Sequence, residues 1–390
     1  MENNIMYKIL PMIRGLLAEP SGNEDVRFKH IILKFCSDKV VIEFVNSKER
    51  DKLNLCPVPL KNVKIPPLKL DSINLNDSIE NIKKQISAEM DSFIERNNIK
   101  PKIVFLKNIG IVYVDNLPDT GLPLQNEVAI VTGAAGAIGS GICRGLLEKG
   151  CYIAATDLPG ERLDKLVVEL KKIAKDRIIG VGMDITSTDS MANGFNEVIK
   201  TWGGVDIVIA NAGIPLIASL DEMSLDDFRK LEKVNIEGTL LTLSEASRNL
   251  RLQGIGGDIV VISTKNVFAP GARFGAYSAT KAAAHQLGRI ASLELAEFDI
   301  RVNMVAPDAV FSDGNTKSGL WEKIGPDRMK HRGITDENKL QEYYQSRNLL
   351  KAKITARHVA NAVLFFVTRQ TPTTGATIPV DGGLPDATPR

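Results

Sequence analysis

Histidine is scarce. The 390 residues include four, His30, His285, His331 and His358, with no HxH or HExxH spacing. A zinc or iron centre built on imidazole therefore lacks its ligands, so no metal is expected, although carboxylate-only sites stay open to sequence. Cysteine is equally sparse: Cys36, Cys56, Cys143 and Cys151 show no CxxC spacing. That scatter excludes a disulfide scaffold and predicts reduced, buried thiols in a cytoplasmic protein. No apolar run approaches membrane-spanning length, so no membrane partner is expected. The first residues, MENNIMYKILPMIRGLL, offer neither a long apolar core nor a small-residue cleavage site, and read as carrying no secretory leader. Charge of one sign is missing too. With 49 Lys and Arg against 47 Asp and Glu, no nucleic-acid partner is indicated.

What is there is an ordinary globular mixture, 44% apolar and 25% charged, long enough for two cores. The stretch DNLPDTGLPLQ (115–125) is rich in Pro, Gly, Asp and Asn and reads as a linker. It divides a small α/β domain (1–115) from a larger one (125–390), with 116–124 between them. In the first part HIILKF (30–35), VVIEFV (40–45), KIVFL (102–106) and GIVYV (110–114) predict strands. Ile79, Ile82, Ile86, Met90 and Phe93 recur at helical spacing. In the second part, seven near-continuously apolar runs alternate with helical segments. That pattern predicts strands buried on both faces, joined by right-handed crossovers into a parallel sheet.

The first of these runs enters TGAAGAIGSG. Gly133, Gly136 and Gly139 then fall at a strand–turn–helix junction. A pyrophosphate needs close access to backbone N–H groups at a helix N-terminus, where side chains would block it. The next strand ends at Asp157, 18 residues after Gly139. A carboxylate there can hydrogen-bond both ribose hydroxyls and would repel a 2′-phosphate. No arginine appears after it until Arg162, so the expected cofactor is NAD.

Tyr277 and Lys281 stand four apart in an alanine-rich helical stretch, FGAYSATKAAAHQ. Residues at that spacing share a helix face. A free phenol titrates near about 10 and is a poor base at neutral pH. A neighbouring ammonium favours the phenolate. Lys281 is thus expected to acidify Tyr277 and to hold the nicotinamide ribose, while Tyr277 exchanges a proton with an alcohol or carbonyl.

In order along the chain come the glycine turn (132–139), Asp157, Asp184, NAG (211–213), VNIEG (234–238), ISTKN (262–266), YSATK (277–281), VNMVAP (302–307) and PVDGG (379–383). Over 125–384 this succession resembles the short-chain dehydrogenase/reductases. The resemblance implies a Rossmann doubly wound sheet of seven parallel strands behind a smaller N-terminal α/β domain. It implies a catalytic set of Tyr277, Lys281, Thr264 and Asn235, with Asn235 holding a water in a proton relay from Lys281, or else serving only in packing. The implied cofactor contacts are Gly133, Gly136, Ala137, Ile138, Gly139, Asp157, Asp184, Ile185, Asn211, Ala212, Gly213 and Pro307, besides Tyr277 and Lys281. Three positions depart from the family. Thr264 replaces the usual serine and is preceded by Ser263, which strand alternation points the other way. Ala137 stands where many members have the middle glycine, a GxxGxxG spacing that leaves a nucleotide-sugar epimerase or dehydratase as an alternative. Asp308 comes after Pro307 where glycine is common, either facing substrate or capping a loop.

A narrower likeness rests on VAPDAVF (305–311), SGLW (318–321), YYQSRNLLK (343–351) and TTGATIPVDGG (373–383). These resemble the dehydrogenase half of the bifunctional rhamnulose-1-phosphate aldolase/alcohol dehydrogenases. ILPMIRGLL (9–17), EFVNSKE (43–49) and KIVFLKNIGIVYV (102–114) are similar to the end of their aldolase region, which implies a truncated, non-catalytic remnant at the N-terminus. Residues 308–353 read as a lid insertion with an excess of basic residues, able to attract an anionic substrate, or as solvated helices. The expected activity is NAD-dependent interconversion of a secondary alcohol, or a small hydroxy-aldehyde, and its carbonyl. A non-catalytic NAD-binding regulator or scaffold is the other alternative. The family habit implies a homodimer or homotetramer, with Leu240, Leu241, Ala283 and Leu287 as apolar residues for the contact or for the core.

Overall fold

The structure, a computed structural model, describes residues 2–58, 65–115, 117–314, 316–385 and 387, with side chains from Ile5 onward. Of the expected boundaries, Met1, Asn116 and Arg390 lie outside the described residues, as does Asn315 within the expected lid. The chain divides into two compact units. One comprises Met1–Thr120 with Asn196–Val205 and Asn249–Ile255, and the other the remainder.

In the first unit, helix α1 (Glu2–Leu17) precedes strand β1 (Leu33–Cys36), helix α2 (Lys39–Asn46), strand β2 (Leu68–Leu70), helix α3 (Ile79–Asn97) and strands β3 (Ile103–Leu106) and β4 (Gly110–Val114). The sheet order is β1-β4-β3-β2, antiparallel except for the β2/β3 pair. The stripe expected on α3 is buried at Ile82, Ile86, Met90 and Phe93. Ser78 caps the helix by accepting from Asn81 N–H. The expected strand over 40–45 is instead α2. Asp38 accepts from Val41 N–H at 3.0 Å and starts a helix. Val41 and Val45, one turn apart, are its buried residues. Here capping and an i, i+4 burial pair outweigh the strand preference of a β-branched run. Arg14, fully buried, donates from Nε to Ile31 O at 2.7 Å and from Nη1 to Gln253 Oε1 at 3.1 Å.

The second unit is a seven-stranded parallel sheet. Its strands are β5 (Val128–Thr132), β6 (Tyr152–Asp157), β7 (Ile178–Gly182), β8 (Ile207–Ala210), β9 (Gly257–Ile262), β10 (Ile300–Pro307) and β11 (Thr377–Val380), in the order β11-β10-β9-β8-β5-β6-β7. The central strands are apolar along their length because helices cover both faces: Val128, Ala129, Ile130 and Val131 of β5 are all fully buried. Helices α4 (Ala137–Glu148) and α12 (Ala356–Val367) approach so closely that a Cβ on Gly141 would lie 2.5 Å from that of Ala356. From β5 the chain winds out to β7, then returns to β8 on the other side of β5. Such a reversal opens a crevice beyond the carboxyl ends of the strands.

Beyond β10 come a two-residue ladder (Ser312–Asp313 with Thr316–Lys317), helix α10 (Gly319–Arg332) and helix α11 (Glu337–Arg347). Asp313 ties this segment to α4, accepting from Ser140 Oγ at 2.9 Å and Arg144 Nε at 3.0 Å. At the opposite end of the sheet, Arg369 donates to Asp258 Oδ2 at 2.8 Å, to Asp299 Oδ2 at 3.2 Å and to the Gly257 carbonyl at 2.9 Å. Arg369 and Asp258 are both buried. Arg369→Ala leaves Asp258 desolvated without its cation, and should cost about 3–5 kcal/mol. Urea denaturation of the variant against the parent chain checks this.

Candidate active site

Gly133 follows β5 in the left-handed region, φ +63°, and a Cβ there would sit 2.8 Å from Ala212 Cα. Only glycine takes that conformation and that contact together. The turn is locked from the neighbouring strand. Asn211 Nδ2 donates to the carbonyls of Thr132 at 2.8 Å and Gly133 at 3.0 Å, and Ala212 N–H donates to Thr132 Oγ1 at 3.1 Å. Gly136 is the N-cap of α4 and provides no side-chain cap, so no side chain of the cap covers the first-turn N–H groups. Gly139 lies under the turn, and a Cβ there would meet Gly133 O at 2.4 Å. Ala137 is buried and Ile138 packs against the core.

Asp157, at the end of β6, is braced from both sides. Oδ2 accepts from Ala135 N–H at 2.9 Å and Oδ1 from Leu158 N–H at 2.8 Å. The bare helix start, the glycine cradle and the braced carboxylate fit the pyrophosphate and adenosine ribose of a dinucleotide. Asp184 instead serves its own turn, accepting from Thr186 N–H and Oγ1 at 2.9 and 2.8 Å. Ile185 is buried and lies against Gly238, whose Cβ would meet Ile185 Cδ1 at 2.5 Å.

At the same edge of the sheet, β9 delivers Ser263 and Thr264, and helix α9 (Gly275–Leu295) delivers Tyr277 and Lys281. The Thr264 side chain lies beside the Tyr277 phenol and acts to lower its pKa. Ser263, on the other side of the strand, pairs its Oγ with His285 Nδ1 at 2.9 Å. Thr264, not Ser263, is thus the hydroxyl beside the phenol. Ser263 N–H donates to Val305 O at 2.8 Å, which brings Pro307, at the end of β10, level with Thr264.

Lys281 Nζ donates to the Ile262 carbonyl at 2.6 Å. A Cβ on Gly213 would lie 3.8 Å from that nitrogen and 3.2 Å from Asn235 Oδ1, so Lys281, Gly213 and Asn235 form one cluster. Asn235 sits in a π-helical stretch (Glu232–Glu237) between α7 (Leu225–Leu231) and α8 (Gly238–Gln253). Its amide is engaged by protein. Oδ1 accepts from Ile214 N–H at 2.9 Å, and Nδ2 donates to Ile214 O at 3.0 Å and Thr280 Oγ1 at 3.1 Å. These bonds fix the orientation of the Asn235 side chain.

The expected acidification of Tyr277 is absent from this state. Burial pushes the phenol up to about 12, against the Thr264 side chain, which draws it down. Burial also pushes the Lys281 ammonium down to about 8. Desolvation penalises the charged form of both groups, and the ammonium is directed at a backbone carbonyl. At neutral pH this leaves a protonated phenol, an acid ready to hydrogen-bond an oxygen.

Sequence patterns missed part of the surroundings. His285, one turn beyond Lys281, carried no motif. Residues of the segment after β10 form a wall: Phe311 and Trp321 stack at 4.1 Å between centroids, Tyr344 meets Trp321 edge-on at 4.8 Å, and Tyr277 belongs to the same buried cluster. The apolar face of the segment is therefore packed rather than solvated throughout. Lys265 and Arg328 are also buried there, two cations that spacing alone does not flag.

Sheet order and glycine turn define a doubly wound nucleotide-binding fold of the Rossmann type. Residues 127–323 match the short chain dehydrogenase family, and the chain belongs to that family of oxidoreductases. It is 30% identical to L-2,3-butanediol dehydrogenase of Corynebacterium glutamicum, over 67% of this chain and 99% of that protein. The uncharacterized oxidoreductase YuxG of Bacillus subtilis is 28% identical over 457 aligned residues, covering 99% of this chain, which spans 65% of YuxG's length. Among solved structures, sorbitol-6-phosphate 2-dehydrogenase of Erwinia amylovora superposes with a TM-score of 0.60 at 27% identity, over 66% of this chain and 98% of that one.

Lys281 gives a pH signature. Below about pH 8 its amine is protonated in folded and unfolded chains alike, and the burial cost is present in full. Between there and its ordinary value near 10.5, the unfolded chain holds more protons than the folded one, so stability rises with pH. Relative to Lys281→Met, the parent chain should gain stability between pH 7.5 and 9.5, roughly the window in which folded Lys281 loses its proton before the unfolded lysine does. Urea titrations at the two pH values measure the difference.

Proposed function

We propose that the chain is an NAD(H)-dependent oxidoreductase that interconverts a secondary alcohol, or a small hydroxy-aldehyde, and its carbonyl. The observation carrying this reading is the buried Tyr277 phenol beside Thr264, with Lys281 one helical turn away and its Nζ on the carbonyl that ends β9. NAD, when bound, supplies the hydride acceptor and NADH the donor. Thr264 and Tyr277 hydrogen-bond the substrate oxygen between them. Tyr277 gives that oxygen its proton in the reductive direction and takes it back in the oxidative one, a contribution worth about 10²–10⁴ in rate. Lys281 holds the nicotinamide ribose hydroxyls and replenishes the proton. Asn235 braces the Ile214 backbone above them.

Gly133, Gly136 and Gly139 admit the pyrophosphate, and Asp157 takes the adenosine ribose. Asp157 repels a 2′-phosphate, and the nearby Arg162 is engaged with Glu322 at 2.7 Å. Both features favour NAD over NADP. Relatives named for butanediol and sorbitol 6-phosphate oxidation support an alcohol substrate. We read the protein as cytoplasmic and homo-oligomeric, with Leu240, Ile290 and Leu293, all exposed on α8 and α9, as the contact. We read the N-terminal unit as a non-catalytic aldolase-like remnant. The likeness to YuxG, which includes that unit, is compatible with this.

Tyr277→Phe should lower turnover of secondary alcohols by at least about a hundredfold while NADH binding, monitored by fluorescence, stays within a factor of about two. Retained turnover would defeat the proposed proton transfer. The parent chain should use NADH in preference to NADPH, and Asp157→Ser should narrow that preference. Equal turnover with both cofactors in the parent chain would remove the charge argument.

A further inference from the structure

A guanidinium taken out of water needs an anion to face it. In the second unit, Arg144, Arg162, Arg273, Arg357 and Arg369 each meet a carboxylate. Arg328, on α10, is only 9% exposed and meets none among the described residues. Its Nε donates to Tyr344 Oη at 3.1 Å and its Cζ lies 4.8 Å from the Phe274 ring centroid. The adjacent Asp327 is taken by Arg273 and His331. With Nε held by a neutral hydroxyl, the Nη1 and Nη2 edge is the one that suits a bidentate oxyanion.

Two more cations stand close by. Lys265, also 9% exposed, comes directly after Thr264, and its Nζ donates to Ala269 O at 3.1 Å. Arg347 Cζ lies 5.2 Å from the other aromatic partner, Tyr344. Burial pushes the Lys265 ammonium down, and Arg347 and Arg328 act on it in the same direction. Asp381 is one carboxylate of the group and acts on both Lys265 and Asp308; the other is Asp308 itself. Burial raises it, while Arg347 first and Lys265 second draw it down. Asp308 therefore answers Arg347 first and Lys265 second, and Arg328 has no ion pair with a carboxylate among the described residues. One ring, Phe274, separates Arg328 from Tyr277, with 6.0 Å between the two ring centroids.

We propose that Arg328, flanked by Lys265 and Arg347, binds a carboxylate or phosphate oxyanion carried by the substrate, several bonds from the carbon that reacts beside Tyr277. The substrate is then a phosphorylated or carboxylated hydroxy compound rather than a neutral alcohol. The identity of the reacting group rests on the dehydrogenase reading above; the oxyanion site does not.

The test is calorimetric titration of the full chain, without cofactor and again with saturating NADH, using inorganic phosphate, succinate and glycerol as probes. Phosphate or succinate should bind and glycerol should not. Binding of phosphate alone marks a phosphate ester as substrate, and binding of succinate alone marks a hydroxy or keto acid. Arg328→Gln should weaken the bound anion by about tenfold to a hundredfold. Arg328→Lys should recover part of the loss, and Arg357→Gln, at a surface ion pair, should bind as the parent does. Lys265→Gln gives an independent reading if Arg328→Gln fails to fold. Absence of binding by both anions, or unchanged affinity in Arg328→Gln and Lys265→Gln, overturns the proposal. Tyr277→Phe should bind the anion as tightly as the parent, so loss of the dehydrogenase reading shows in turnover and loss of this one in the titration.

Discussion

The hydrogen bond from Lys281 to the Ile262 carbonyl joins the longest helix of the second unit to the end of a central strand. Everything at the crevice is referred to that junction. It fixes the helix rotation that sets Tyr277 against Thr264, and it places an amine near Gly213 and Asn235. An ammonium held only by backbone dipoles in a desolvated place is poorly stabilised, which is why its proton is held weakly. The same desolvation strengthens the phenol's hold on its own proton. The site's acid and base properties thus arise from burial before any specific partner is considered.

A second constraint is the weld between β5 and β8. Asn211 makes three hydrogen bonds across the strand ends, two to Thr132 and one to the Gly133 carbonyl, with both carbonyls of the glycine turn accounted for. A left-handed glycine is cheap to form but also cheap to lose, because it is flexible in the unfolded chain. The amide of Asn211 offsets that by fixing the turn from outside. NAG thus acts at two ranges: asparagine secures the neighbouring turn, and the glycine leaves space beside Lys281.

Much of this could be read in the residues. The seven apolar runs became the strands of the sheet because strands covered on both faces cannot alternate, and that signal survives without tertiary information. Glycines with a carboxylate downstream, and Tyr and Lys one turn apart, are local patterns whose spacing is fixed by helix and strand geometry. The misreadings share a cause. VVIEFV has the composition of a strand, but Asp38 in front of it and the burial of Val41 with Val45 decide for a helix. Lys281 looked like an acidifier of Tyr277 because spacing reports proximity and not solvation. The protein partners of Asn235 could not be read from spacing, because Ile214 and Thr280 lie 21 and 45 residues away. The buried cations at 265 and 328 depend on the packing of the aromatic wall, which no periodicity encodes.

The π-helical stretch at 232–237 amounts to a helix carrying one surplus residue. Losing any single residue from it would let α7 and α8 wind into one regular helix, turning the residues before the deletion by about 100° relative to those after it. Asn235 would then leave the Ile214 backbone while the flanking helices kept their length. This corner of the molecule can accept a change of residue more readily than a change of residue number.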